Sequence, residues 1–160
     1  MTRKRYIIGI DEVGRGALAG PVTVGALALE AGLRFDPAEL KRLKLNLRDS
    51  KKLTPAGRKR WVAYLKKRSD IFFKTASVSP KAIDRMNISQ AANLAATKAF
   101  EKLADQAILK TEPFVFLDGG LYLKNDWRKK LKVRTVIRGD ENIDAVKLAS
   151  IVAKVSRDAL

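Results

Sequence analysis

Four carboxylates in this sequence follow short apolar segments, and each has a glycine within two residues. Asp11 and Glu12 come after the run YIIGI, Asp118 after FVFL, and Asp140 after the stretch VRTVIR and a glycine. A single Asp beside Gly is ordinary turn chemistry. Three such segments in one chain instead favour a shared site, because ligands gather at the carboxyl ends of strands in α/β sheets.

Carboxylates that meet in one site repel each other and are costly to remove from water. A divalent cation removes that cost. The chain has no cysteine and no histidine, which excludes disulfides, zinc fingers, Cys nucleophiles and Ser-His triads. Oxygen ligands remain, and these suit Mg²⁺ or Mn²⁺. Two such ions ~3.5–4 Å apart would activate a water and stabilise the leaving oxygen in phosphodiester hydrolysis.

Positive charge dominates the chain and is clustered. The formal net charge is +16, from 33 Lys and Arg against 17 Asp and Glu. Residues 51–69 contain eight Lys or Arg and no acid, and residues 123–134 contain six and one Asp. Clustering favours a nucleic-acid partner over an evenly solvated basic surface. Each segment carries one tryptophan, Trp61 or Trp127, for which core packing is expected rather than base stacking.

Five short segments predict strands because they are rich in β-branched or aromatic residues and are bounded by turn residues. These predicted strands are 6–11, 21–29, 71–78, 113–118 and 133–138. Three helices are also predicted. The first begins at Thr54 with Pro55 in its first turn. Its buried residues are expected to be Trp61, Val62 and Leu65.

The second predicted helix follows Ser89 as its N-cap. Its apolar positions recur at steps of three and four, namely Ala92, Ala96, Ala99, Leu103 and Ala107. The third occupies about 143–159, with a polar stripe of Lys147, Ser150, Lys154 and Arg157 opposite an apolar face of Leu148, Ile151, Val152 and Val155. The order β-β-(α)-β-α-β-α-β-α then implies a mixed sheet with helices on its faces.

Several stretches of this chain closely resemble the ribonuclease HII family, the type 2 ribonucleases H. The longest is IGIDEVGRGALAGPVTVGA at 8–26, which is highly specific by itself. The others keep the family's order along nearly the whole chain: DSKKLT (49–54), IDRMNIS (83–89), FLDGG (116–120), RGD (138–140) and LASIVAKVSRD (148–158). The resemblance implies an α/β ribonuclease H-like fold with a mixed five-stranded sheet flanked by helices.

The resemblance also implies an activity and its residues. The activity is endonucleolytic cleavage of RNA in RNA–DNA hybrids and at ribonucleotides embedded in duplex DNA, with Mg²⁺ or Mn²⁺ as cofactor. Asp11, Glu12, Asp118 and Asp140 match the family's four metal-binding catalytic acids. Gly14, Arg15 and Gly16 match the loop that senses the ribose 2′-hydroxyl. Ser50 and Lys51 match a motif near the bound backbone, which gives them a phosphate role; for Lys51 a solvated basic turn is the alternative.

The family normally continues past the last matching Arg-Asp into a segment that supplies a tyrosine beside the ribonucleotide. This sequence stops at Leu160, and Tyr6, Tyr64 and Tyr122 all precede that place. We therefore expect one catalytic domain over 1–160 without the family's C-terminal helical segment. A catalytically weak nucleic-acid-binding form, or another metal-dependent nuclease on the same fold, are the alternatives. A cytoplasmic monomer without membrane contact is expected, because no signal peptide or apolar span is evident.

Overall fold

The computed structural model describes residues 4–16, 20–47 and 50–160. Within them, five strands form a mixed sheet in the order β3-β2-β1-β4-β5. The strands are β1 (Tyr6–Val13), β2 (Val22–Glu30), β3 (Phe72–Val78), β4 (Phe114–Asp118) and β5 (Lys132–Val136). β1 pairs antiparallel with β2, and β2 pairs antiparallel with β3, whereas β4 runs parallel to both β1 and β5. The predicted fold class and all five predicted strands are confirmed.

Helices connect the strands and cover the sheet. They are α1 (Pro37–Arg42), α2 (Pro55–Lys67), α3 (Pro80–Met86), α4 (Ile88–Leu103), α5 (Gln106–Leu109), α6 (Asn125–Lys130), α7 (Gly139–Asn142) and α8 (Asp144–Asp158), with a 3-10 turn at Ser50–Lys52. No helix in the described ranges is both long enough and apolar enough to span a bilayer.

The sheet separates two apolar clusters. On one side, the small residues of α4 let the helix lie close to the strands, and Ile8, Ile10 and Phe100 are fully buried there. On the other side, α8 and α2 pack together, and Trp61 and Leu148 are fully buried. The predicted apolar face of α8 is confirmed, and the buried face of α2 is also as predicted.

Helix α8 lies unusually close to the middle of the sheet. A Cβ added to Gly9 would lie 2.2 Å from the backbone carbon of Ala145, and one added to Gly25 would lie 2.3 Å from the Ala149 carbonyl oxygen. Only glycine permits this approach of backbone to backbone. The position of α8 is therefore fixed against β1 and β2, which matters for the residues that it presents beyond them.

Two details of the predicted α4 are wrong. Its N-cap is Asn87 rather than Ser89, because Asn87 both ends α3, donating its N–H to the Ile83 carbonyl, and accepts from the Gln90 N–H with its side chain. The helix also ends at Leu103, so that Ala107 belongs to α5 and is exposed. Because Asn87 both ends α3 and caps α4, the helix has already begun when the chain reaches Ser89.

Candidate active site

The pairing of β1 with β4 brings two of the predicted acids together. Ile10 lies opposite Leu117 in this parallel pair, so the residues that follow them, Asp11 and Asp118, lie at the same end of the sheet. Asp118 is the last residue of β4, as predicted. Asp11 and Glu12 lie inside β1, which continues to Val13, rather than at its end.

The third acid reaches the site by another route. β5 ends at Val136, and Asp140 lies four residues beyond it on the short helix α7, so the prediction of a third strand ending in acid is wrong in this detail. Arg138 turns the chain in a left-handed conformation (φ 55°) just before α7. The Asp140 N–H then donates a hydrogen bond to Asp118 Oδ1 at 3.4 Å.

The three aspartates form a compact group of oxygen ligands. One carboxylate oxygen from each of Asp11, Asp118 and Asp140 lies within 4.8 Å of the others. Burial raises the pKa of Asp11 well above its ordinary value, and the charges of Glu12 and Asp118 raise the pKa further. A hydrogen bond from the Ser150 hydroxyl opposes this rise. The donor set fits a hard divalent cation, which would offset both the burial and the repulsion.

Glu12 lies beside this group rather than within it. Its Oε1 is 3.7 Å from Arg15 Nη1, and its buried Oε2 has no hydrogen-bond partner among the described residues. Burial raises the pKa of Glu12, against a hydrogen bond with Asp11 and the charge of Arg15, both of which lower it. An unpaired buried carboxylate oxygen is costly, so this atom is available to a cation bound next to Asp11.

The residues proposed from the sequence line one cleft of about 310 Å³. Asp11, Glu12, Asp118, Asp140, Gly14, Arg15, Gly16 and Lys51 all contribute to its wall. Gly14 follows β1 with φ +93°, while Gly16 is exposed. Lys51 lies on the 3-10 turn and is exposed. The side chain of Ser50, also predicted to bind phosphate, lies outside the described part of the chain.

Two further polar residues of the cleft were not assigned a site role from the sequence. Ser150 and Lys154 of α8 line the same cleft, and Ser150 is only 3% exposed. They belong to the polar stripe that the sequence showed, but that stripe does not face open solvent. The signal was present as a serine and a lysine four residues apart within an otherwise apolar stretch. It could not show that this side of α8 turns toward the carboxylates.

The cations on α2 differ in their exposure. Lys59, Arg60, Lys66 and Lys67 are exposed. Arg58 is only 7% exposed, donates a hydrogen bond from Nη1 to the Leu53 carbonyl at 2.7 Å and lies 3.6 Å from Asp158. It therefore connects α2 to α8. Both tryptophans pack internally as expected: Trp61 is fully buried, and the half-buried Trp127 contacts the ring of Phe100.

Comparison with known proteins decides the family. The family model described as ribonuclease HII matches residues 8–160. The chain belongs to the ribonuclease HII family. Ribonuclease HII from Caldicellulosiruptor bescii is 39% identical over 154 residues, which is 96% of this chain and 66% of that protein. The chain spans 60–69% of the length of the first ribonuclease HII relatives that it matches.

Solved structures give the same fold. Ribonuclease H2 from Pyrococcus horikoshii superimposes with a TM-score of 0.67 at 24% identity, covering 96% of this chain and 72% of that one. Bst-RNase HIII in complex with Mn²⁺ superimposes with a TM-score of 0.70 at 22% identity, covering 97% of this chain and 52% of that one. At these identities the likeness establishes the ribonuclease H-like fold of this ribonuclease HII family member.

Proposed function

We propose that this chain is a metal-dependent endoribonuclease that hydrolyses the RNA strand of RNA–DNA hybrids and cuts at ribonucleotides embedded in duplex DNA. Residues 1–160 act as its catalytic domain. The observation that carries the proposal is the convergence of Asp11, Asp118 and Asp140 beside the Gly14–Gly16 loop. Membership of the ribonuclease HII family supports the choice of substrate.

The cofactor is proposed to be Mg²⁺ or Mn²⁺, held by the three aspartates with Glu12 alongside. The ligands are all carboxylate oxygens, which these ions prefer, and one relative on this fold was solved with Mn²⁺. When bound, a pair of such ions supplies activation of the attacking water and stabilisation of the leaving oxygen. The protein's part is to fix the carboxylates, which it does through β1, β4 and the backbone bond between Asp140 and Asp118.

The loop after β1 is proposed to distinguish RNA from DNA. A 2′-hydroxyl is the group that differs between the two sugars, and it can both donate and accept hydrogen bonds. Gly16 is exposed, and a Cβ added there would meet no atom of the described residues within 4 Å, so a nucleotide can approach its backbone closely. Arg15 lies beside Glu12 and Gly120 on the same wall and is placed to meet a phosphate.

Cations on both sides of the carboxylates are proposed to bind the phosphate backbone. Lys51 and Lys154 line the cleft itself, and the exposed lysines of α2 extend the positive surface beyond it. Such contacts supply affinity without reading sequence. Arg58 is excluded from this role because it is buried between α2 and α8.

The proposal is tested by cleavage of end-labelled duplexes of one sequence: a uniform RNA–DNA hybrid, a DNA duplex with one ribonucleotide, and an all-DNA duplex. Cleavage of the first two with Mg²⁺ or Mn²⁺, and none with EDTA, is expected. Binding without cleavage would instead identify a nucleic-acid-binding protein. Cutting of the all-DNA duplex would identify a different nuclease and remove the ribose-sensing role of the Gly14–Gly16 loop.

A further inference from the structure

Arg157 contacts both ends of the loop that joins β1 to β2. Its Nε donates a hydrogen bond of 2.9 Å to the carbonyl oxygen of Pro21, which lies 136 positions earlier in the chain. A Cβ added to Gly14 would lie 2.5 Å from Arg157 Nε, and one added to Gly20 would lie 2.9 Å from Arg157 Nη2. The guanidinium group therefore lies against the start and the end of this loop.

The two glycines suit this packing as well as the turn. Gly14 has φ +93° and Gly20 has φ +104°, a conformation that side chains disfavour. Because a Cβ at either position would also collide with the arginine, the loop and Arg157 fit each other. The flat guanidinium fills the space that both missing side chains leave, which the compact ammonium of a lysine does not fill equally well.

The position of Arg157 is fixed by the rest of the molecule. It lies in the last turn of α8, whose middle is held against β1 and β2 by close backbone contact. The neighbouring Ser156 hydroxyl lies 3.2 Å from that of Thr75 on β3, and Asp158 lies 3.6 Å from Arg58. The same helix presents Ser150 and Lys154 to the cleft. One rigid element thus touches the loop, the carboxylates and the basic segment.

We infer that Arg157 is a positioning residue that holds the Gly14–Gly16 loop at a fixed distance from the carboxylates and thereby sets the selectivity for ribose. Its Nε hydrogen bond and its packing are with loop backbone, so it acts through the loop. The selectivity part of this role rests on the proposed function, whereas the fixing of the loop does not. Small displacements of positioning groups can lower a rate by about 10²-fold.

The first test measures the loop directly, by amide hydrogen exchange of wild type, Arg157→Ala, Arg157→Lys and the control Lys147→Ala. Lys147 is a cation on the same helix whose ion pair is with Asp144, away from the loop. Exchange at residues 14–16 is expected to rise at least 10-fold in Arg157→Ala, less in Arg157→Lys and not in the control. Unchanged exchange at these residues in both Arg157 variants would overturn the inference.

The second test measures selectivity. The ratio of binding constants for a one-ribonucleotide duplex and the all-DNA duplex is determined in variants that also carry Asp118→Asn, so that cleavage is too slow to disturb the binding measurement. Arg157→Ala is expected to lower this ratio at least 10-fold, with similar affinity for all-DNA duplex. Equal loss of affinity for both duplexes would show a phosphate contact and overturn the selectivity role.

The outcomes separate the two proposals. If wild type does not cleave a hybrid but the loop loosens in Arg157→Ala, the proposed function fails and the positioning role stands.

The folding of every variant is checked by measuring its thermal unfolding. If Arg157→Ala does not fold, the test uses Arg157→Lys. This variant retains a donor for the Pro21 carbonyl but loses the planar contact with both glycines. An exchange rate at residues 14–16 equal to that of wild type would contradict the inference.

Discussion

The backbone N–H of Asp140 donates to the carboxylate of Asp118 at 3.4 Å. This bond joins the end of β4 to α7, so the acid that arrives on a helix is held against the acid that ends a strand. A carboxylate and a carboxamide offer the same oxygen to this N–H. Replacing Asp118 by Asn therefore changes the charge of the site while keeping the bond that shapes it.

Asp118→Asn is expected to lower the cleavage rate of an RNA–DNA hybrid by at least about 10²-fold. The affinity of the variant for the hybrid should stay within a few-fold of wild type, because affinity comes mainly from the basic surface. Rates come from single-turnover assays and affinities from fluorescence anisotropy. Asp126→Asn, at an exposed position on α6, is the matched control and should cleave normally. A near wild-type rate in Asp118→Asn would show that this residue is only structural.

Asp11→Asn is expected to stabilise the metal-free protein at neutral pH. Burial and the charges of Glu12 and Asp118 raise the pKa of Asp11. At this carboxyl group the folded state then binds more protons than the unfolded state. The contribution of Asp11 to stability is therefore largest below the ordinary carboxyl pKa and is lost as pH rises through the raised pKa. Removing the carboxyl relieves this penalty, and each kcal/mol gained should raise Tm by about 2–4 °C.

The measurement is thermal unfolding in EDTA from pH 5 to pH 8. The Tm advantage of Asp11→Asn should grow with pH, and adding Mg²⁺ or Mn²⁺ should stabilise wild type more than the variant, because ligand binding to the folded state raises its stability. A Tm advantage that is constant with pH would mean that the Asp11 carboxylate carries no electrostatic penalty.

Replacing Lys51, Lys52 and Lys59 together by Gln is expected to weaken hybrid binding and flatten its salt dependence. Each lost phosphate contact should reduce the slope of log K against log[salt] by about 0.9. All three are exposed, and Lys51 lines the cleft. The control is the exposed Lys98 on α4, which covers the opposite face of the sheet from α8. An unchanged slope in the triple variant would identify this face as merely solvated.

Arg58→Met is expected to differ from the triple lysine variant. It should lower the free energy of unfolding by about 1–3 kcal/mol and change the salt dependence of hybrid binding little. Its guanidinium is buried, bonds to the Leu53 carbonyl and lies near Asp158, so its loss affects the packing of α2 on α8. Denaturant unfolding and the salt titration together separate the two roles. A slope reduced by about one unit with unchanged stability would make Arg58 a phosphate ligand.

The sequence predicted those parts of the fold that depend on local pattern. Five strands and the apolar faces of α2 and α8 follow from spacing, and the acids follow from their place beside glycines. Helices of four to seven residues, such as α3, α5 and α7, are too short to show a period, so Asp140 was expected directly after a strand rather than on a helix. Ser89 was expected to cap α4, whereas the cap is Asn87, two residues earlier.

Contacts between distant segments could not be predicted. The bond from Arg157 to Pro21 joins positions 136 apart, and the hydrogen bond from Ser150 to Asp11 depends on how α8 crosses β1. Neither contact has a pattern in the local sequence, because both depend on the close packing of α8 against Gly9 and Gly25. The polar stripe on α8 was visible, but which of its members face the cleft is a property of the packed fold.

We propose that Asp11, Asp118 and Asp140 together hold a divalent cation. Crystals of the protein soaked in Mn²⁺ test it most directly, through the anomalous difference map. A strong peak is expected within coordination distance of all three carboxylates, about 2.0–2.4 Å from their oxygens, and it should be lost in Asp118→Asn crystals treated identically. Mn²⁺ bound elsewhere, with nothing between these three aspartates, would contradict it.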